Sequence, residues 1–594
     1  MALPQRVESQ QPVELLDGLG LQGERLQAAR TVESNVLVKA GPGAGKTYLL
    51  VAHAAYLAQH GCGRVIVLTY TRNAAREVDR RVTELIGPQA ARRVVVRTIH
   101  SHAFELLKVH GHRLRLGHPL RIVEPRDVED VAKEVARELG QEVRADFARQ
   151  LERLLRRRAL RAEDRKDRTV VGRVLSRMRS QGQLTWESCL DLAIELLGQE
   201  ADVAESVRYH DRYLLLDEAQ DCDPAQLALI DQLVGGPNGR HLFVAMDPDQ
   251  SLYAFRDADP ERVLSWAQGY QPEVFELTEN YRCKPRVTAL ARYVLQGKSS
   301  GVVDGGSAYL IRGTTRAKEA SFVAREIGAQ LAKGTAPERI AVLARRNNLL
   351  VEAEKALKAE AVSYRKPARG EFSGAEETVL AALELLEEWE AGRPPSAQTF
   401  RTLRQIFGFD DAAISELEWQ ALLGQVPHPA EGLEEAKWLQ LVELRDQRLR
   451  LDELVPRVAE TLGCQLAEPS ALGTLAAQYR TLAQLLHRAR QGPLSDGFTG
   501  QGVLVSSFHG SKGLEFDTVF ILACEDGIIP DFRAESSPQA LREERRALYV
   551  AMTRASSELW ITCTGRSIPG GAKPSRFLPA PDSPLWTPTP SAGR

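Results

Sequence analysis

The chain has 594 residues, too many for one hydrophobic core, so it must divide into several domains. Hydrophobic residues make up 43% and charged residues 26%, which excludes a disordered or membrane-embedded chain and fits a soluble globular one. Lys and Arg number 77 against 79 Asp and Glu, a formal net charge of -2, so any nucleic-acid surface has to be a local basic track balanced by acidic faces elsewhere.

The N-terminal run MALPQRVESQQPVELL has no apolar leader core, and no apolar run is long enough to span a bilayer. A cytoplasmic protein without a membrane partner is expected. Short β-branched runs then recur, each followed by a loop and a helical pattern: Asn35–Lys39, Val65–Thr69 and Val94–Thr98. Such runs predict buried parallel strands. A polar, helix-rich block follows over Glu105–Ser206, dense in arginine between Arg153 and Arg179. Two readings stay open for those arginines: a solvated face balanced by Glu152, Glu163, Asp164 and Asp167, or a phosphate-contacting surface.

Strands resume at Tyr213–Leu216 and His241–Met246, and a second set covers Ile340–Ala344, Val503–Ser507, Thr518–Ala523 and Leu559–Cys563. Two separate α/β cores are the simplest account. The second set is interrupted by a helical block over Ser373–Gly497, itself broken by a turn or linker at Ala391–Gln398. The Pro/Ser-rich end of the chain, residues 579–594, is expected to be disordered. Seven cysteines lie far apart with no CxxC pair, which argues against a zinc or iron–sulfur site and for reduced thiols.

Two motifs carry chemistry. Ala40-Gly41-Pro42-Gly43-Ala44-Gly45-Lys46-Thr47 follows a predicted strand and opens a helical pattern. Its glycines let backbone N–H groups turn inward around phosphate oxygens, and the helix N-terminus adds a favourable field. Lys46 would reach the β- and γ-phosphates, and the Thr47 hydroxyl would bind Mg²⁺. A bare Gly-rich turn is the competing reading, and Gly-Lys-Thr in this context argues against it. Downstream, Leu214-Leu215-Leu216-Asp217-Glu218 delivers two adjacent carboxylates to the end of an apolar strand, where α/β sheets bind ligands. Asp217 would hold Mg²⁺, and Glu218 would activate the attacking water. ATP with Mg²⁺ is therefore the expected ligand pair.

Further motifs appear in a fixed order: Thr69-Tyr70-Thr71-Arg72-Asn73-Ala74-Ala75, Thr98-Ile99-His100-Ser101, the DEAQD of Asp217–Asp221 and Asp247-Pro248-Asp249-Gln250-Ser251-Leu252-Tyr253-Ala254-Phe255-Arg256. Glu279-Asn280-Tyr281-Arg282, Phe508–Phe516 (FHGSKGLEF), Leu548–Ala555 (LYVAMTRA) and Pro574-Ser575-Arg576-Phe577-Leu578 complete the series. Together they resemble the UvrD/Rep-type helicases of superfamily 1A through nearly the whole chain. The resemblance implies an α/β fold of two RecA-like P-loop NTPase domains, each interrupted by a mainly helical insertion. Residues 1–104 and 207–279 would form the first, 105–206 its insertion, 280–372 and 498–578 the second, and 373–497 a shortened insertion.

The same resemblance implies an ATP-dependent DNA helicase moving 3′→5′ on single-stranded DNA and at single/double-strand junctions. Such a protein would be monomeric when isolated, nucleoid-associated, and open to a protein partner that activates unwinding. By matching positions, Asp217, Glu218, Gln250, Arg282 and Arg554 are the catalytic candidates. Gly41, Gly43, Ala44, Gly45, Lys46, Thr47, Tyr48, Gln27, Tyr281 and Glu515 are the nucleotide-binding ones, with Tyr281 stacking on adenine. Tyr70, Thr71, Asn73, Thr98, His100, Tyr253, Phe255, Arg256 and His509 match the DNA-facing positions.

Departures from the family pattern are also legible. The N-terminal glutamine element is degenerate, since Gln22 and Gln27 flank the expected position while Arg25 falls on it. Tyr48 stands where close relatives carry an arginine that contacts the base, so weaker discrimination for adenine is expected. The sequence runs only a short way past PSRFL, so no fused nuclease is expected. A helicase subunit of a helicase–nuclease or defence complex is the alternative reading, towards which LYVAMTRA leans. A catalytically dead nucleic-acid scaffold is opposed by Lys46, Asp217, Glu218, Arg282 and Arg554 all being present. Repair, replication restart, plasmid maintenance and phage defence are all compatible with these motifs.

Overall fold

The computed structural model describes residues 12–59, 63–123, 125–141, 147–160, 165–166, 169–253, 257–298, 304–367, 374–390, 440–441, 443–444, 447, 449–466, 470–477, 482, 485–486, 489, 498–499, 501–535, 537–564 and 573–588. The chain divides into two compact units, residues 1–361 with 506–594, and residues 362–505. In chain order the strands are β1 (Val36–Ala40), β2 (Val65–Thr69), β3 (Val94–Thr98), β4 (Arg121–Ile122), β5 (Gln183–Leu184), β6 (Tyr213–Leu216), β7 (His241–Met246), β8 (Glu273–Leu277), β9 (Ser307–Gly313), β10 (Ile340–Ala344), β11 (Tyr364–Pro367), β12 (Phe498–Thr499), β13 (Val503–Ser507), β14 (Phe516–Leu522) and β15 (Ala555–Thr564).

The first unit holds two parallel sheets. One runs β3-β2-β6-β7-β1-β8, with Val38 opposite both Ala245 and Phe275. Both faces are covered by helices, which is why the apolar runs of β1, β2 and β6 read as continuous rather than alternating. Because every strand points the same way, β1, β2, β6 and β7 release their following loops at one edge, where the charged motifs collect. In the other sheet β10, β14, β15 and β9 lie side by side, again all parallel.

Among the described residues six strands, β4, β5, β8, β9, β11 and β12, escaped the sequence reading, and β8 and β9 lie at the edges of the two large sheets. In β8 only Phe275 and Leu277 are buried while Glu273, Val274 and Glu276 face out. In β9 only Ala308 and Tyr309 are buried. Half-polar edges do not produce the apolar run used to find strands.

The helical block over 105–206 is not one body. The helices Ile99–His110 and Trp186–Gln199 share a core with the first sheet, through Leu106, Leu107, Leu190 and Leu197 against Leu68 and Leu214. Only the middle of the block has its own small core, built from Val128, Ala132, Leu151, Leu155, Val174 and Met178.

In the second unit β11 pairs antiparallel with β12 and parallel with the start of β13. Its helices Gly374–Glu390 and Leu451–Leu462 meet through Val379, Leu383 and Leu386 against Val455, Val458 and Leu462. The linker expected at Ala391–Gln398 lies outside the described residues.

The expected disordered tail is corrected over 579–588. Leu585 and Trp586 are buried, the Trp586 indole donates to the Ala580 carbonyl at 3.1 Å, and the Thr587 N–H donates to Ala308 at 2.7 Å on β9. Arg286 donates to the Pro584 carbonyl at 3.0 Å. Two large apolar side chains are enough to dock a Pro-rich segment that lacks any periodicity of its own. Residues 589–594 lie outside the described residues.

Candidate nucleotide and nucleic-acid site

The phosphate loop leaves β1 and enters the helix Lys46–Gln59. Gly43 and Gly45 have φ of 69° and 81°, the left-handed region that glycine enters without strain. Gly43 is constrained twice over. A Cβ there would fall 2.5 Å from the Arg282 Cβ and from the Asn280 side-chain oxygen. The loop is thus seated against Asn280–Arg282, and the Tyr281 N–H donates to the Gly43 carbonyl at 2.9 Å.

Lys46 is buried, donating to the Ala40 carbonyl at 3.2 Å and lying 3.6 Å from Asp247. The Thr47 hydroxyl donates to Asp217 at 3.3 Å. Burial, with the neighbouring Glu218, pushes the Asp217 carboxyl above its ordinary range, against the pull of Lys46. A hydroxyl and a buried carboxylate short of positive charge are hard oxygen donors that fit Mg²⁺, which keeps water and substrate oxygens as its other ligands. Among the described residues no cluster of three or more His, Cys, Asp or Glu could hold a metal without such outside ligands.

Glu218 behaves oppositely. Burial alone would raise its carboxyl, but the positive field of Lys46, Lys512 and Arg554 and a 2.5 Å hydrogen bond from Gln220 hold it below its usual value. It is therefore ionised at neutral pH and able to accept a proton.

Groups from the second sheet reach this edge. The Gln250 amide donates to Asp247 at 2.6 Å while its oxygen accepts from Arg554 at 3.2 Å. Arg554, 1% exposed, also donates to the carbonyls of Val550 and Leu514 at 2.9 and 3.1 Å. Burial and the nearby Arg282 lower its pKa to about 10, which still leaves it charged. Arg282 donates to Glu515 at 2.6 Å. Lys512 pairs with buried Asp221, donates to the Gln250 carbonyl at 3.0 Å and lies 5.0 Å from the centre of the Tyr253 ring.

That last contact leads to an aromatic platform. The Tyr70 and Tyr253 rings lie 4.7 Å apart at 31°. His509 sits beside it, bonded to the Leu252 backbone, and burial with the nearby Arg345 lowers its pKa to about 4, so the ring is neutral.

Comparison with known proteins agrees with this arrangement. Residues 21–271 match the UvrD/REP helicase N-terminal domain, and residues 443–566 the UvrD-like helicase C-terminal domain. The chain is 26% identical to the ATP-dependent DNA helicase PcrA of Staphylococcus aureus, over 93% of this chain and 85% of that one. It is 28% identical to the ATP-dependent DNA helicase UvrD1 of Mycobacterium tuberculosis, over 92% and 82% respectively. The chain belongs to the UvrD/Rep helicase family.

Within this family member some expected residues have other occupations. Tyr48 has a structural occupation: its ring is buried and its hydroxyl donates to the Leu19 carbonyl at 3.0 Å. The helix Lys46–Gln59 buries nearly every side chain, and an aromatic at its third position joins that core. For Gln27 the described bonds are to its carbonyl, from Thr31, whereas Arg25 reaches Tyr281 and Glu279.

Thr71 and Thr98 cap helices, accepting from the Ala74 and Ser101 N–H groups at 3.2 Å. His100 meets Trp186 edge-on at 6.1 Å. Phe255 and Arg256 lie outside the described residues. Of the arginine-rich block, Arg156, Arg165, Arg177 and Arg179 pair with Glu187, Asp191, Glu138 and Glu195, which supports the balanced-face reading. Sequence reasoning missed Lys512 and Asp247 at the site. The GSKG of the FHGSKGLEF motif was the available signal for Lys512, and Asp247 closes β7 as Asp217 closes β6. Among the described residues no helix is long and apolar enough to cross a membrane.

Proposed function

We propose that this chain is an ATP-driven motor that moves 3′→5′ along single-stranded DNA and separates strands at a junction. Lys46 and the loop glycines bind the triphosphate, and Thr47 with Asp217 hold a Mg²⁺ ion. When bound, that ion offsets charge on the phosphate oxygens. Glu218 accepts the proton of the attacking water. Arg282 and Arg554, carried on segments that join the second sheet, neutralise the charge that develops on the γ-phosphate.

One observation carries the coupling. Gln250 is bonded at once to Asp247 beside the phosphate loop and to Arg554 from the second sheet, and its carbonyl is bonded to Lys512, which lies over Tyr253. A change in phosphate occupancy therefore shifts the same group of side chains that borders the Tyr70–Tyr253 platform. Bases stack on such platforms without sequence preference.

The polarity follows the family resemblance and is tested by unwinding of duplexes with a 3′ or a 5′ single-stranded tail. Faster unwinding of the 3′-tailed duplex is expected. Equal rates, or a preference for the 5′ tail, overturn the polarity.

A further inference from the structure

An arginine stands beside the nucleotide site where it faces an exposed aromatic ring. The Arg25 guanidinium lies 4.2 Å from the centre of the Tyr281 ring, within cation–π range. One of its nitrogens donates to the Tyr281 hydroxyl and lies 3.5 Å from the Glu279 carboxylate. The Tyr281 hydroxyl in turn donates to Glu279. Tyr281 is anchored to the phosphate loop through Gly43, and Glu279 lines a small cavity with Gly41, Pro42 and Asn280. Arg25 is the inner member of this group, with 16% of its side chain exposed against 72% for Glu279.

The geometry points to Arg25 and Glu279 as the pair that reads the nucleobase, in a site that takes guanine nucleotides as well as adenine nucleotides. This rests on the nucleotide-site reading above. A guanidinium offers only donors, whereas a glutamine amide offers a donor NH₂ beside an acceptor oxygen. The amide matches the N6 donor and N7 acceptor of adenine, while the guanidinium matches the O6 and N7 acceptors of guanine. Glu279 supplies the acceptors that guanine N1–H and N2–H or adenine N6–H require. The Tyr48 hydroxyl is buried and committed to the Leu19 carbonyl.

The test is DNA-stimulated hydrolysis of ATP and GTP by the full chain and by Arg25→Gln. For the wild type, kcat/KM values within about tenfold of each other are expected. The Arg25→Gln substitution should shift the GTP/ATP ratio towards ATP by roughly tenfold or more, the effect of one hydrogen bond to a charged group. A wild-type preference for ATP beyond about a hundredfold, or an unchanged ratio in the variant, overturns the inference. Should the variant turn over neither nucleotide, competition against wild-type ATP hydrolysis decides: GDP inhibiting as well as ADP supports the inference, and GDP without effect overturns it. Hydrolysis of ATP alone removes this inference only, whereas no hydrolysis of any nucleotide removes the site reading with it.

Discussion

Replacing Lys512 with Met removes the ammonium that faces Asp221 and keeps most of the stem. Asp221 is almost completely buried, and burial pushes its carboxyl up from 3.8 to about 6 even with Lys512 beside it. A folded-state value above the unfolded one means that stability is fully present below pH 3.8 and is lost as pH rises through about 6. That loss amounts to on the order of 3 kcal/mol by neutral pH. Without Lys512 the carboxyl holds its proton to still higher pH, so the loss deepens towards the roughly 3–5 kcal/mol of a stranded buried charge.

At pH 5 Asp221 is largely protonated in both proteins. The deficit that remains there is the lost bond to the Gln250 carbonyl and the lost contact with Tyr253. The deficit of Lys512→Met relative to wild type should therefore grow by on the order of 2 kcal/mol between pH 5 and pH 8. Urea unfolding followed by tryptophan fluorescence at the two pH values measures it. A deficit that stays constant, or is larger at pH 5, refutes the assignment of Lys512 as the charge that offsets Asp221.

Two further substitutions separate chemistry from DNA contact. Arg554→Ala should lower DNA-stimulated phosphate release by about 10³–10⁵-fold, as loss of an arginine that stabilises the transferring phosphoryl group does. A fall of less than about tenfold would mean that the guanidinium only braces Gln250. Tyr253→Ala should weaken binding of a labelled single-stranded oligonucleotide by about 1–3 kcal/mol, read by fluorescence anisotropy, and unchanged affinity would leave the ring a packing role.

The parts of the site legible beforehand are those written in contiguous residues. A strand, a glycine loop and a helix that begins with Lys46 are specified by their own backbone requirements, so Gly43, Gly45, Lys46 and Thr47 stand where the motif puts them. The same holds for Asp217 and Glu218 at the end of β6. The interior strands β1, β2, β6 and β10 were legible because burial on both faces leaves an unbroken apolar run. Edge strands β8 and β9 and the packed segment 579–588 were not, since each owes its order to a neighbour rather than to its own pattern.

The choice between a balanced face and a phosphate surface was undecided in the same way. Along the chain both readings of the arginines between Arg153 and Arg179 stay open, and Glu138, Glu187, Asp191 and Glu195, found opposite four of them, favour the first. Local order along the chain was enough to place a glycine loop before a helix, two carboxylates at a strand end and the family they belong to. Which side chains meet at the site was decided only by packing: Lys512 finds Asp221 across 291 residues, Arg554 finds Gln250 across 304, and Arg25 rather than Gln27 finds Tyr281 across 256. Contacts at such separations depend on how whole sheets and helices dock, and no short stretch of chain carries that information.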